Sequence, residues 1–172
     1  MNRRAKEYRE IARSHRTAGR LTEAAGYYTT AGFSESSRIW RPPEDRPSTA
    51  THAILPKSVG KSVKYLLASA LCYRLADEMA RCRNRCEHGV LMIRDLKDNE
   101  PGWFEGMGLN EKSNARSGLA HELIGDFRLY GDLGDREEQY GIARQSTRQY
   151  ERNTQQRHRK SSGRPNRSLP RP

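Results

Sequence analysis

Residues 62–96 read SVKYLLASALCYRLADEMARCRNRCEHGVLMIRDL, and their reading decides the fold. This is the one long stretch in which apolar residues are dense and recur at helical spacing. Tyr65, Leu66, Leu67, Ala68, Leu71, Cys72 and Leu75 cover most of a helix circumference, as a central helix would. Ala76-Asp77 marks a turn, with Asp77 placed to cap the next helix. Beyond it Met79, Cys82, Cys86, Val90, Ile93 and Leu96 step by three or four residues, a single apolar stripe. The opposite face carries Arg81, Arg83, Arg85 and Arg94. Gly89 stands inside this second helix, where glycine costs about 1 kcal/mol relative to alanine at an exposed position.

The same alternation of helix, short turn and helix extends in both directions. Upstream, Ala5, Tyr8, Ile11, Ala12 and His15 make one face of a helix that ends at Gly19. Thr22 then caps a second helix with the small face Ala24, Ala25, Tyr28 and Ala31, closed by Gly32. Downstream, Ser113 caps a helix with Leu119, Ala120, Leu123, Ile124, Phe127 and Tyr130 on one face. After the turn 131–135, a last helix starts at Asp135, with Glu137 and Glu138 suited to its N-terminal dipole. Two Pro/Gly-rich loops separate the pairs. Pro42, Pro43, Pro47 and Pro56 break the helix pattern over 33–60, and Pro101, Gly102, Gly106 and Gly108 break it over 98–112. Ile39, Trp40, Trp103 and Phe104 would anchor these loops to the body. The expectation is an all-α chain with one helical domain over 1–152. It is built of three antiparallel hairpins at about 2–32, 62–97 and 114–150, as a repeat array or an irregular bundle. After Arg152 apolar residues nearly vanish, so 153–172 reads as a disordered basic tail.

Composition narrows the functional classes. The chain has 172 residues, 34% of them hydrophobic, and carries a formal net charge of +11. Its mean hydropathy of −1.02 leaves room for one modest core. The charge is concentrated at the ends. Residues 144–172 hold nine Lys/Arg against Glu151 alone, and residues 1–20 hold seven against Glu7 and Glu10. Basic ends around a nearly neutral body suit a polyanion or an acidic partner. No stretch is apolar enough to cross a membrane, and the N-terminus lacks the hydrophobic core of a signal peptide. With three cysteines and no export signal, reduced thiols and a cytoplasmic location are the expectation.

The motifs that suggest chemistry weaken when their spacing is checked. Gly60-Lys61-Ser62 is the end of a P-loop, but Leu55 stands where the loop needs its first glycine. Cys82 and Cys86 share a helical face, whereas His88 points about 200° away from Cys86, and a closed zinc site needs four ligands. The cysteines therefore read as core packing, with no metal and no cofactor. His15, His52, His88, His121 and His158 pair with no nucleophile, so no catalytic residues are assigned. Arg81, Arg83 and Arg85 on the fourth helix, with Arg157, Arg159, Lys160 and Arg164 in the tail, are the candidate polyanion contacts. No aromatic platform accompanies them, so any nucleic-acid binding would be electrostatic.

Tyr8, Ile11, Ala12, Gly19, Leu21, Ala24, Tyr28 and Ala31 follow the spacing of the tetratricopeptide repeat. Ile124, Gly125, Asp126, Leu133, Tyr140 and Ala143 follow it in the third pair, with Arg136 where a small residue belongs. Tyr73, Met79, Cys82 and Cys86 serve in the middle pair. The chain thus resembles a divergent TPR-like protein whose period is widened by its loops. That resemblance implies a non-enzymatic protein–protein interaction module, with a concave face lined by the first helix of each pair and another protein as partner. The alternative is a basic-tailed protein that binds nucleic acid or another polyanion non-specifically.

Overall fold

The computed structural model describes residues 3–37, 51–99 and 111–162. They form six α-helices: α1 (Arg3–Thr17), α2 (Leu21–Ser36), α3 (Thr51–Leu75), α4 (Met79–Asn99), α5 (Glu111–Gly131) and α6 (Arg136–Ser162). There is no strand among the described residues. Each helix packs on the next along the chain, and α3 also touches α5.

One turn recurs. Gly19, Asp77 and Asp132 all adopt positive φ, of 74°, 61° and 51°. The N–H groups of Arg20, Glu78 and Leu133, one residue further on, donate to the carbonyls of His15, Tyr73 and Arg128. This is the six-to-one bond of a Schellman motif, which stops a helix with one left-handed residue. Asp can occupy that conformation at modest expense where most residues cannot. The next helix starts two residues later after Gly19 and Asp77, and four later after Asp132. Tight turns of this kind leave no room for the expected side-chain caps. Asp77 ends α3 rather than capping α4. Arg20 occupies the N-cap position of α2 without a side-chain bond, and Thr22 lies inside the helix, donating its hydroxyl to the Glu78 carboxylate. Ser113 likewise falls inside α5, not ahead of it.

Small residues in register hold the helices close. Ser62 Oγ donates to the Gly32 carbonyl at 2.6 Å, and Ser69 Oγ donates to the Ala25 carbonyl at 2.8 Å. Seven residues forward on α3 match seven residues back on α2, so these helices run antiparallel. A Cβ on Gly32 would lie 3.3 Å from the Ser62 carbonyl oxygen. Gly32 therefore permits a close crossing, and α2 continues through it to Ser36 instead of ending there. The pattern returns between α5 and α6. Gly125 faces the Tyr140 ring, and seven residues away Gly118 faces Thr147. Between α4 and α5, Gly89 faces Phe127 and Cys86 faces Gly131. At Gly89 the sequence suggested a weak point in an exposed helix. It is buried, and it makes room for the ring of Phe127, which is itself fully enclosed.

The core follows these seams. The α4 stripe is buried as expected at Cys82, Cys86, Val90, Ile93 and Leu96. On α3 the buried residues are Val59, Val63, Leu66, Ala70, Cys72 and Tyr73, with Ser62 and Ser69. Leu71 is only half-buried and Leu75 is 71% exposed. The inner face of α3 thus combines small residues matching α2 with Leu66 and Tyr73, while Leu71 and Leu75 lie outside it.

Two further boundaries differ from expectation. Helix α3 begins at Thr51 and runs through Pro56. The absent N–H of Pro56 would have served His52 near the helix start, where a lost bond matters less than in mid-helix. Helix α6 extends to Ser162, so 153–162 is helical rather than disordered. Gln, Arg and Lys are good helix formers, and a helix already nucleated by packing can propagate into them without an apolar stripe. The expected anchors Ile39, Trp40, Trp103 and Phe104 lie outside the described residues, as does 163–172. No helix among the described residues is long and apolar enough to cross a membrane.

Candidate functional site

The expected arginine ridge on α4 is used internally. Arg81 bridges Glu78 at 2.9 Å and lies over the Tyr73 ring at 5.8 Å. Arg85 lies over the Phe33 ring, also at 5.8 Å, and His88 meets the same ring edge-on. Arg83 Nε donates to the Gly131 carbonyl at 3.3 Å. Arg74 Nη1 donates to the Tyr130 carbonyl at 2.5 Å, and the Cys82 thiol donates to the same oxygen at 3.3 Å. These donors converge on the C-terminus of α5, where the carbonyls have no partners in their own helix and the dipole is negative. The role of Arg74 and Arg83 is thus to close α5 from the α3–α4 turn. Of the other candidates, Arg157, Arg159 and Lys160 belong to the α6 backbone, and Arg164 lies outside the described residues.

The motifs set aside on spacing resolve into packing. The Ser62 hydroxyl is fully buried and occupied by Gly32, so it does not offer a metal-bound phosphate its oxygen. Cys72, Cys82 and Cys86 are free and buried. Among the described residues no three His, Cys, Asp or Glu side chains converge on a common point. Burial pushes all three thiols above their ordinary range, Cys86 furthest. His121 is half-buried and pairs its Nδ1 with Gln139 Oε1 at 2.9 Å. Tyr140 donates to Asp126 Oδ1 at 2.8 Å, and its phenol is pushed up to about 12, first by burial and then by that bond.

The thiols carry a pH prediction. The native chain holds these protons more tightly than the unfolded chain does. The resulting stability is fully present below about pH 8.5, the ordinary thiol value. It is lost as pH rises through the folded values. Urea midpoints are therefore expected to fall above that pH. A thiol-reactive disulfide reagent at pH 8 is expected to label no cysteine in the native chain and all three after unfolding. Rapid labelling of Cys86 in the native chain would contradict its placement.

The face that remains uncommitted is on α6. An open groove of about 780 Å³ runs along it, lined by Arg144, Arg148 and Arg152 with Gln145, Gln149 and Asn153 among their neighbours. All three arginines are exposed. None is paired with a carboxylate among the described residues. The opposite side of α6 packs on α5 through Tyr140, Ala143 and Thr147. The sequence carries the signal for this row in its four-residue arginine step. With no apolar stripe beyond Tyr150 to mark the helix's continuation, the step reads as part of a basic tail. No family model, curated protein or solved structure matches the chain.

Proposed function

We propose that this chain is a non-enzymatic helical-repeat module of TPR-like build, three antiparallel hairpins that hold another protein. The observation carrying this reading is the recurrence of one left-handed turn at Gly19, Asp77 and Asp132. Layered contacts support it. Helix α3 touches α5. On the other side Phe33 of α2 meets His88 and Arg85 of α4. The first helices α3 and α5 are thus neighbours, as are the second helices α2 and α4, contacts of the kind stacked hairpins make. The surface offered by α1, α3 and α5 is then the docking face. Affinity capture from source lysate, with and without nuclease, tests the role. Protein partners that persist after nuclease are expected, whereas the absence of any stoichiometric protein partner would contradict it.

A second reading, polyanion binding, is favoured by one observation, the unpaired arginine row on α6. In that reading the contact surface is this helix and not the α4 ridge.

A further inference from the structure

We propose that the solvent face of α6 binds the phosphate backbone of a nucleic-acid duplex through Arg144, Arg148 and Arg152. This rests on the polyanion reading and assigns it a place and a partner class. Consecutive arginines in the row are separated by about 6 Å along the helix axis and turn through only about 40°. The three guanidinium groups therefore form a line that slants gently along one face. The groove they line runs from Gly141 to Gln156, a length of about 22 Å.

The chemistry of the lining selects the occupant. Among the described residues, apart from Gly141, it is arginine and side-chain amide throughout, with no apolar or aromatic side chain and no carboxylate. Glu151 is the single acidic residue between Gln139 and Ser162, and it does not line the groove. Protein interfaces draw their energy from buried apolar and aromatic anchors, and this face has none. Arginine recognises phosphate with paired donors, and amide side chains add further bonds to phosphate and sugar. A helix bearing them fits the major groove of a duplex. The absence of an aromatic residue removes the stacking by which single strands are held. Binding is therefore electrostatic, duplex-directed and indifferent to sequence.

Fluorescence anisotropy of the intact chain with a short labelled DNA duplex, over about 50 to 200 mM salt, tests this. The triple variant Arg144→Gln, Arg148→Gln, Arg152→Gln is compared with a charge-matched control, Arg3→Gln, Arg13→Gln, Arg20→Gln. All six residues are exposed, so helicity and melting temperature are expected to stay at the wild-type level in both. The α6 triple is expected to weaken binding by about 10-fold or more and to reduce the log–log salt slope by about 3, one per lost phosphate contact. The control is expected to keep the wild-type slope.

Each failure has its own meaning. A wild-type chain that binds no duplex at about 50 mM salt would defeat the polyanion reading and this site with it. Duplex binding with an unchanged slope in the α6 triple would overturn the site alone. Equal losses in both triples would reduce the effect to net charge and overturn it too. Labelled poly-glutamate bound as tightly as the duplex, and lost in the α6 triple, would make the partner an acidic polypeptide.

Discussion

Leu66→Asp is expected to leave no cooperatively folded protein at room temperature. Leu66 has no exposed surface, and its side chain lies against Gly32 where α2 and α3 pack. The substitution removes about 2–3 kcal/mol of apolar burial. It also places a carboxylate in a fully buried site, at several kcal/mol more, or forces it to take up a proton. Domains of this size are stable by about 5–15 kcal/mol in all, so the loss consumes most of that margin. Circular dichroism during a thermal scan reads the result as loss of the cooperative transition. Leu71→Asp provides the contrast. From sequence alone Leu71 belongs to the core, but it is half-buried, and a carboxylate there can reach water. It is expected to melt cooperatively at a reduced temperature. Were Leu71→Asp the more damaging of the two, α3 would be rotated from the orientation described.

Gly89→Val is expected to destabilise the chain by about 3 kcal/mol or more, in line with the upper range for overpacked cores. A Cβ at this position would sit 2.2 Å from Phe127 Cζ and 2.4 Å from its Cε2. The ring has no exposed surface, so it cannot swing into solvent to relieve the contact. Gly89→Ala separates the two views of this glycine by sign. If Gly89 were an exposed helical residue, alanine would raise stability by about 1 kcal/mol. With the ring in place, alanine is expected to lower it by about 1–2 kcal/mol, the overpacking penalty less the gain in propensity. The cost should shrink in a Phe127→Ala background, because the obstacle is gone, and a double-mutant cycle in urea measures that coupling. An additive cycle would place the ring elsewhere.

These two residues also show what the sequence could and could not convey. The α4 stripe was legible because large apolar residues at helical spacing reveal which face turns inward. The turns at Gly19, Asp77 and Asp132 were legible in position, since Gly and Asp punctuate helices. The seams between helices were not. Gly32, Ser62, Ser69, Gly89 and Gly125 carry little hydrophobic signal, and their importance lies in what the facing helix brings near them. Polar Ser62 and Ser69 are buried because backbone carbonyls on α2 accept from them. Arg83 and Arg85 read as part of a surface ridge because their partners, the Gly131 carbonyl and the Phe33 ring, lie far away in sequence. The end of α6 was missed for the opposite reason. A helix without an apolar face gives no periodic signal, yet that plain face carries the unpaired arginine row.

Hydrogen exchange of the intact chain with and without a DNA duplex tests the duplex-binding role of that row most directly. Residues 141–156 lie on the part of α6 that gains a partner, so duplex binding is expected to slow exchange there more than anywhere else among the described helices. Residues 81–94 of α4, already engaged with neighbouring helices, are expected to change little. Protection centred on α4 or on residues 1–20, with α6 exchanging as in the free chain, would contradict the assignment of the arginine row on α6 as the binding surface.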